Sequence, residues 1–526
     1  MRKFNITGIC VAEKDYMVDI GEKLEKITEL VDNGCYFTIN RARQYGKTTT
    51  LLCLENALKL KGDYTIASIS FQGLDDESFK SSEKFCPAFV ELIHDALQFS
   101  SADEEYRRQW INDNITDFKK LSRHITKMCG NKKVVLMVDE VDKTSHNHVF
   151  LNFLSMLREK FLARKAGKDF TFHSVILAGV YDIKNIKLKI INEGLYTPSE
   201  AENKLYNSPW NIAADFDVDM SFNPAEISSM LKSYEEDHNT GMDIPEISEE
   251  IYYYTSGYPF LVSRICQHID EKLNKNWTAA GVREAVKILL EEKNTLFDDV
   301  FKNLKNNKDL YRYVYELLIM GMFKPYSIYS SIVNIGDIYG FFKKADNGGG
   351  KVIISNKIFE LLMTDYYIAE DLTNEKQVTE IFPNSIIKSG RFDMELCLRK
   401  FAAHYAEIFN ENDVEFLERH RRLIFLSYLK PLINGKGFYH IESRFTDLRR
   451  MDIVIDFGRD QFIIELKLWK GKEYEQKAYR QLAGYMESKK ADEGYLLTFD
   501  FRKESNKERK AEWIEVDGKK IFEVIV

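Results

Sequence analysis

The segment between residues 36 and 61 most constrains the fold of this chain. An apolar run, Tyr36–Ile39, is followed by a loop that ends in Gly46-Lys47-Thr48 and then by a helical pattern. Short apolar runs without polar alternation are typical of strands that are covered on both faces, as in parallel sheets. Three later runs of this kind alternate with amphipathic stretches: Thr65–Phe71, Val134–Val138 and Val175–Ala178. The pattern predicts a doubly wound α/β core.

The glycine-lysine-threonine loop predicts a phosphate site. Gly46 lets the backbone curl so that its amides face an anion, and Lys47 reaches the β and γ phosphates of a nucleotide. The Thr48 hydroxyl is placed to coordinate Mg²⁺, and the helix that starts there, with Thr49 in its first turn, points its N-terminus at the anion. The loop departs from the usual pattern, because Arg41 stands where the first glycine is expected.

The strand Val134–Val138 supports this prediction, because it ends in Asp139-Glu140. At the carboxyl edge of a sheet, Asp139 is expected to hold Mg²⁺ through water and Glu140 to polarise the attacking water. The alternative is a core strand that ends in a solvated acidic turn. Together the two segments predict a chain that binds ATP with Mg²⁺ and hydrolyses it.

Length and composition predict a multidomain globular protein. The 526 residues exceed what one compact core holds. The net charge of −8 does not indicate nucleic-acid binding. It does not exclude it either, because carboxylates also gather at metal centres. Seven scattered cysteines without metal-binding spacing predict reduced side chains and a cytoplasmic location. No apolar run approaches about 20 residues, so no membrane span is expected.

The pattern divides the chain into five segments. The third is interpreted as a winged helix because a helix is followed by two strands joined at Asp346–Gly350 and by a second helix. The fourth is interpreted as a linker because it is polar. The predicted segments are an ATPase core at 1–222, a helical lid at 223–295, a winged-helix-like domain at 296–372, a linker at 373–390 and a second α/β domain at 391–526.

The loop Arg41-Ala-Arg-Gln-Tyr-Gly-Lys47 resembles the arginine-flanked P-loop of AAA-ATPase-like proteins that carry a C-terminal PD-(D/E)XK domain. In that family arginine commonly replaces the first glycine. Three more stretches match, namely Tyr16–Asp19, Ser208–Ile212 and Gly257–Leu261. The resemblance covers nearly the whole chain. It implies an AAA-type ATPase core, a helical lid, a winged helix and a nuclease-like C-terminal domain.

The resemblance also implies arginine contacts with the nucleotide. A lid arginine often contacts the γ-phosphate in such ATPases, and Arg264, which follows the Gly-Tyr-Pro stretch, is the candidate. The alternative is a solvated arginine on a helix. Arg41 and Arg43 are further candidates for phosphate contacts. No arginine that acts on a neighbouring subunit can be identified, and assembly into a homo-oligomer stays open.

The C-terminal segment predicts a hairpin with an acidic and basic face. Asp452 lies on an alternating strand, and Glu465 and Lys467 are two residues apart on the next strand, so they share a face. Carboxylates that hold Mg²⁺ or Mn²⁺ suit phosphodiester hydrolysis, in which Lys467 orients the water or neutralises charge. The alternative is an ordinary pair of charges on a strand.

The spacing of these residues resembles that of PD-(D/E)XK nucleases. Thirteen positions separate Asp452 from Glu465, and Gln481 lies on the following helix, as in the RecB-like and Holliday-junction-resolvase-like branches. The family's additional acidic ligand is Glu415 or Glu418, of which Glu418 is preferred. Basic residues near the site are candidates for contacts with a phosphate backbone. They are Arg444, Arg449, Arg450, Lys470, Lys472, Lys477 and Arg480.

Three functions compete. The first is a nuclease gated by ATP that cuts nucleic acid, with DNA preferred over RNA. Similar architectures are associated with bacterial mobile elements and with defence against foreign DNA. The second is a nucleotide-dependent switch that binds nucleic acid or a protein partner without cutting. Slow hydrolysis of ATP, which the missing first glycine of the loop allows, would suit such a switch. The third is a scaffold in which both sites are relics, and the intact motifs argue against it.

Overall fold

The computed structural model divides into two compact units. The first comprises Met1–Asn307 and Val333–Phe341, and the second comprises Lys308–Ile332 and Phe342–Val526. The structure describes residues 2–100, 102–111, 114–141, 148–180, 210–319, 322–345, 350–374, 386–388, 391–408, 414–433, 437–443, 451–458, 460–469, 471–502 and 510–526.

A parallel sheet of four described strands forms the centre of the first unit. Its spatial order is β1-β4-β3-β2, so β4 lies between the strand that precedes the glycine-lysine-threonine loop and the strand that ends in Asp139. β3 and β4 are buried along their whole length, which agrees with their uninterrupted apolar sequences. The predicted α/β core is confirmed. The strands are β1 (Tyr36–Asn40), β2 (Thr65–Ser70), β3 (Val134–Asp139) and β4 (Ser174–Gly179).

Helices cover both faces of this sheet. Successive residues of β3 alternate between two apolar clusters: Leu136 packs with Phe153 on one face, and Val135 packs with Leu54 on the other. This alternation follows from the two-residue period of a strand. The helices are α1 (Gly21–Asp32), α2 (Lys47–Lys61), α3 (Ser82–Leu97), α4 (Glu104–Arg108), α5 (Phe118–Cys129) and α6 (His148–Lys165).

A block of helices follows the sheet in the first unit. The first of them begins at a capping box, in which Asn223 and Glu226 satisfy each other's backbone amides, and Pro224 occupies the first turn. These signals are present in the sequence and fix where the block starts. Its helices are α7 (Pro224–His238), α8 (Ile244–Thr255), α9 (Pro259–Glu271), α10 (Ala279–Leu290) and α11 (Thr295–Asn306).

Gly257, between α8 and α9, joins this block closely to the chain before it. Its φ is +73°, and a Cβ at this position would lie 1.8 Å from the carbonyl oxygen of Phe222. The Phe222 amide donates to the carbonyl oxygen of Gly257 at 2.8 Å. Only glycine allows this approach of two backbones.

The second unit begins with helices and short strands. Two antiparallel strands followed by a helix are present, as predicted, but a helix that was not predicted, over Ser331–Ile338, precedes the strands. Residues 346–349 of the predicted turn lie outside the described residues. Parts of the predicted linker, 375–385 and 389–390, also lie outside them. The elements of the second unit are α12 (Lys308–Leu318), β5 (Phe342–Lys344), β6 (Val352–Ile354), α14 (Lys357–Asn374), β7 (Ile387–Lys388) and β8 (Arg391–Phe392). Helix α13 (Ser331–Ile338) lies between α12 and β5 in the chain and belongs to the first unit from Val333 onward.

A mixed sheet of six described strands ends the second unit. Its order is β13-β14-β12-β11-β10-β9, with β9, β10 and β11 antiparallel and with β11, β12 and β14 parallel. Apolar residues of α17 pack on one face, where Leu482 meets Val454 and Leu496. The elements are α15 (Met394–Ile408), α16 (Val414–Ile433), β9 (Gly437–Ser443), β10 (Met451–Phe457), β11 (Asp460–Leu468), α17 (Lys472–Ser488), β12 (Glu493–Phe499), β13 (Lys510–Val516) and β14 (Lys519–Ile525).

The length and polarity of the helices decide whether any of them could span a membrane. Within the described part of the chain, no helix combines the length and the apolar character that are needed to cross a bilayer.

Gly257→Ala should lower the free energy of unfolding of the first unit by about 3 kcal/mol, since the new methyl group would collide with a backbone oxygen at a positive φ. Urea unfolding followed by circular dichroism measures this. Gly241→Ala is the matched control, because Gly241 has the same φ of +73° but open space around it. We expect the control to cost about 1 kcal/mol, and equal losses in the two variants would contradict the role of the close approach.

Candidate functional site

The loop between β1 and α2 has the backbone of a phosphate-binding loop. Gly46 is the N-cap residue of α2 with φ +77°, and Gln44 also has a positive φ of +57°. The Thr50 amide already donates to the carbonyl oxygen of Gly46, so the helical ladder begins at the loop. The N-terminus of α2 therefore points into the loop, which is the arrangement that suits an anion.

Lys47 is the first residue of α2 and is 8% exposed. Its ammonium donates to the carbonyl oxygens of Arg41 at 3.0 Å and of Ala42 at 3.1 Å. A lysine in this position holds the two ends of the loop together. It also places a positive charge beside the amides that face an anion.

Thr48 and Asp139 are brought into direct contact. The Thr48 hydroxyl donates to Oδ2 of Asp139 at 2.6 Å, and the backbone amide of Glu140 donates to Oδ1 at 2.9 Å. Asp139 ends β3 and is 7% exposed. A hydroxyl and a buried carboxylate at the same point are the hard oxygen donors that Mg²⁺ prefers, so these residues fit the predicted metal.

Glu140 follows immediately and is exposed to the space in front of the loop. Its φ is +55°, which is uncommon for a residue other than glycine, asparagine or aspartate. Strained backbone of this kind is often retained where a side chain must be aimed at a ligand. The conformation turns the chain at the end of β3 and leaves the Glu140 carboxylate in the cavity.

A cavity of about 960 Å³ lies in front of the loop. Its lining brings together most of the predicted phosphate-site residues with Tyr258, which precedes α9, and with residues of α11 and of the segment after α13. The predicted residues among them are Arg43, Gly46, Lys47, Thr48, Thr49 and Glu140. This volume is ample for the phosphate chain of a nucleotide.

The loop is fastened to the helices that follow the sheet. Gln44 donates to the Thr295 hydroxyl at 3.0 Å, and the Tyr258 hydroxyl donates to the carbonyl oxygen of Arg43. Gly340 also packs closely on the loop, since a Cβ there would lie 2.9 Å from the Cβ of Ala42. These contacts hold the loop in its curled form.

The three predicted arginines differ in their placement. Arg43 lines the cavity and forms an ion pair with Asp299 at 3.1 Å. Arg41 donates to the carbonyl oxygens of Asn40 and Val218, each at 2.8 Å. Arg264 is paired with Glu292. Among the described residues that line the cavity, neither Arg41 nor Arg264 is present.

Sequence reasoning missed the contribution of α11 to the cavity. Asp299, Lys302 and Asn303 line it, together with the apolar Leu296 and Val300. The sequence gives an amphipathic pattern for α11 but no sign of which element its polar side faces. The predicted winged-helix segment began at 296, whereas α11 belongs to the first unit through Asn307.

A second cavity, of about 360 Å³, adjoins the first one. The two share Gly8 and four residues of the loop region, namely Gln44, Tyr45, Gly46 and Thr49. Its other walls are largely apolar and come from the N-terminal segment, the chain before α7 and the start of α9. Apolar residues among them are Ile6, Met17, Val18, Met220, Phe222, Pro259 and Phe260.

In the second unit, the register of β10 and β11 places Asp452 directly opposite Glu465. Glu465 is 3% exposed, and its carboxylate forms an ion pair with Lys467. Gln481 lies on α17, half-buried beside Leu482. The pairing of the two strands therefore places Asp452 and Glu465 next to each other, as the sequence predicted.

Several predicted residues of this region cannot be placed. Arg444, Arg449, Arg450 and Lys470 lie outside the described residues. The side chains of Asp452 and Glu418 also lie outside them, although their backbones belong to β10 and α16. Among the side chains that the structure describes, no group of three or more histidine, cysteine, aspartate or glutamate residues forms a metal-ligand cluster. Lys472, Lys477 and Arg480 are exposed on α17.

A buried polar network adjoins this region and was not predicted. Glu523 on β14 accepts from the Tyr479 hydroxyl at 2.5 Å and from the Lys510 ammonium at 3.0 Å. Burial raises the pKa of the Glu523 carboxyl despite these partners. Register puts Glu523 opposite Leu496, which lies opposite Glu465, so both glutamates occupy the same face of the sheet.

A family model described as an AAA-like domain matches residues 16–316, which is more than half of the chain. The chain belongs to this AAA-like family. The expectation of a P-loop ATPase-like core is thereby confirmed, while the match ends before the six-stranded sheet. No curated protein matches the chain.

Solved structures show distant similarity. A Walker-type ATPase of Pyrococcus abyssi is 13% identical, over 68% of this chain and 99% of that chain, with a TM-score of 0.46. Cdc6p from Pyrobaculum aerophilum is 14% identical, over 70% and 97%, with a TM-score of 0.33. The ORC2 protein of Aeropyrum pernix in its ADP form is 12% identical, over 70% and 98%, with a TM-score of 0.35.

Glu523→Gln should change how the stability of the second unit depends on pH. A folded-state pKa above the unfolded value of about 4.3 means that stability falls as pH rises from that value through the folded pKa, by up to about 1.4 kcal/mol per pH unit. The glutamine variant should lose this slope. Urea unfolding between pH 4 and 8 measures it, with the exposed Glu515→Gln as control, and an unchanged slope in Glu523→Gln would refute the expectation.

Proposed function

We propose that this chain binds ATP with Mg²⁺ at the loop before α2 and hydrolyses it. The observation that carries the proposal is the 2.6 Å contact between the Thr48 hydroxyl and the buried Asp139 carboxylate. It joins the end of the glycine-lysine-threonine loop to the acidic end of β3, as a nucleotide–magnesium site requires. Membership of the AAA-like family supports the same function.

In this proposal the loop amides and Lys47 bind the phosphates. Thr48 and Asp139 hold Mg²⁺, directly or through water, and the ion when bound neutralises charge on the phosphate oxygens. Glu140 accepts a proton from the water that attacks the terminal phosphorus. Its exposed carboxylate in the cavity supports this role.

The smaller cavity is proposed to take the adenine base. It adjoins the phosphate cavity and shares four residues of the loop region with it. Its largely apolar walls suit a flat aromatic ring, which gains from leaving water. Met17, Phe222 and Phe260 are the side chains that we expect to contact the base.

Glu140→Gln should leave the affinity for ATP within about threefold of the original and lower the rate of hydrolysis by at least about 100-fold, because the amide cannot take up the proton. Titration with a fluorescent ATP analogue measures the affinity, and phosphate release measures the rate. Lys47→Ala should weaken binding itself. The exposed Glu91→Gln on α3 serves as control, and hydrolysis by Glu140→Gln at the original rate would exclude Glu140 as the base.

We propose a second activity for the C-terminal unit, namely metal-dependent cleavage of nucleic acid. The observation that favours it is the register of Asp452 opposite Glu465, with Lys467 paired to Glu465. Carboxylates at these positions would hold Mg²⁺ or Mn²⁺, which when bound activates water and polarises the phosphate. Lys467 would neutralise charge, and Gln481 and Glu418 are the proposed additional residues.

The competing proposal is a nucleotide-dependent switch that binds nucleic acid or a protein without cutting. A loop without its first glycine would suit slow turnover. The Arg41 side chain that stands there donates to the carbonyl oxygens of Asn40 and Val218. Both proposals place the protein in the cytoplasm, which its seven free cysteines support.

Glu465→Gln should lower cleavage by at least about 100-fold, because the amide is a poor metal ligand, while binding of nucleic acid persists. Plasmid, single-stranded DNA and RNA are incubated with Mg²⁺ or Mn²⁺, with and without ATP. Glu493→Gln, an exposed change on the neighbouring β12, is the control. Cleavage that survives in Glu465→Gln would remove the nuclease site from this hairpin, and no cleavage by the original protein would favour the switch.

A further inference from the structure

One face of α11 forms a wall of the phosphate cavity. The residues of α11 that line it recur at the three- and four-residue intervals of a single helix face. They are Leu296, Asp299, Val300, Lys302, Asn303 and Asn306. Leu296 and Val300 are its apolar residues. Its polar residues place charged groups and side-chain amides at the space in front of the loop.

The cations of this cavity are not equally available to a ligand. Arg43 is paired with Asp299 at 3.1 Å, and Lys47 donates to the carbonyl oxygens of its own loop. Lys302 is exposed. Within the described part of the chain, no carboxylate lies within ion-pairing distance of its ammonium. A lysine that borders a cavity for phosphates without a carboxylate partner is suited to an anionic ligand.

The arginine that family resemblance nominates for the terminal phosphate is held elsewhere. Nε of Arg264 donates to Glu292 at 2.9 Å, and its Nη1 donates to Gln267 at 2.6 Å. The Arg264 side chain is 20% exposed. Its Nη2 donates to the second carboxylate oxygen of Glu292, so the guanidinium contacts both oxygens. Releasing Arg264 would leave the Glu292 carboxylate without its main partner, which is costly for a largely buried group.

We infer that Lys302 binds the terminal phosphate of the nucleotide, with the Asn303 amide beside it. The inference rests on the proposed ATP site. The ammonium is a compact charge on a flexible chain, so it can reach the added phosphate of ATP while contributing little to ADP. Lys302 would thus make the cavity sensitive to the number of phosphates.

Lys302→Met in the full chain tests this, because it keeps the length of the side chain and removes the charge. Affinities for ADP and for a non-hydrolysable ATP analogue are measured with Mg²⁺ by calorimetry. We expect the affinity for the analogue to fall by about tenfold and that for ADP to stay within about threefold. Lys302→Arg should keep the preference for the triphosphate.

Lys305→Met is the matched control, since Lys305 lies on the same helix but not on the cavity wall. It should bind both nucleotides as the original protein does. Equal losses for both nucleotides, or none, in Lys302→Met would overturn the inference and leave the ATP site standing. Failure of the original protein to bind either nucleotide would overturn the proposed ATP site and the inference with it.

Discussion

The hydrogen bond between Thr48 and Asp139 is the contact on which the proposed site depends. It joins the start of α2 to the end of β3, although β4 separates β1 from β3 in the sheet. A buried carboxylate must be hydrogen-bonded, and the Thr48 hydroxyl and the Glu140 amide meet that need. The same two contacts fix the direction in which Glu140 leaves the sheet. Oxygen donors and carboxylate are therefore in place before a nucleotide arrives, which lowers the cost of binding.

The parts of the fold that the sequence predicts are those that local patterns determine. Uninterrupted apolar runs indicated the strands of the first sheet, because both of its faces are covered. The two-residue period placed Glu465 and Lys467 on one face. The pairing of Arg264 with Glu292 was not predictable, since it joins a residue of α9 to one 28 positions later, in the segment between α10 and α11. The placement of Lys302 was missed for the same reason, because an amphipathic pattern does not name the surface that its polar side meets.

In the six-stranded sheet, too, contacts between neighbouring strands of the chain were predictable, whereas contacts between distant segments were not. Asp452 and Glu465 face each other because one hairpin joins their strands, and a hairpin is a local structure. Glu523 comes from a strand far along the chain, and its partners Tyr479 and Lys510 come from two other elements. Nothing in the spacing of these three residues signals their contact. A buried, hydrogen-bonded glutamate on the face of the proposed metal ligands makes the sheet sensitive to protonation there.

The close packing of Gly340 on Ala42 has a consequence for how the site is completed during folding. The loop that holds Ala42 is made early in synthesis, but the residues that close its cavity, Tyr339 and Phe341, are made almost 300 positions later. Contacts of such long separation form slowly, because a large loop of chain must be closed first. A ribosome-bound chain that ends before Phe341 would carry the glycine-lysine-threonine loop with its cavity still open. The walls of this cavity are therefore complete only after the chain has been extended through residue 341.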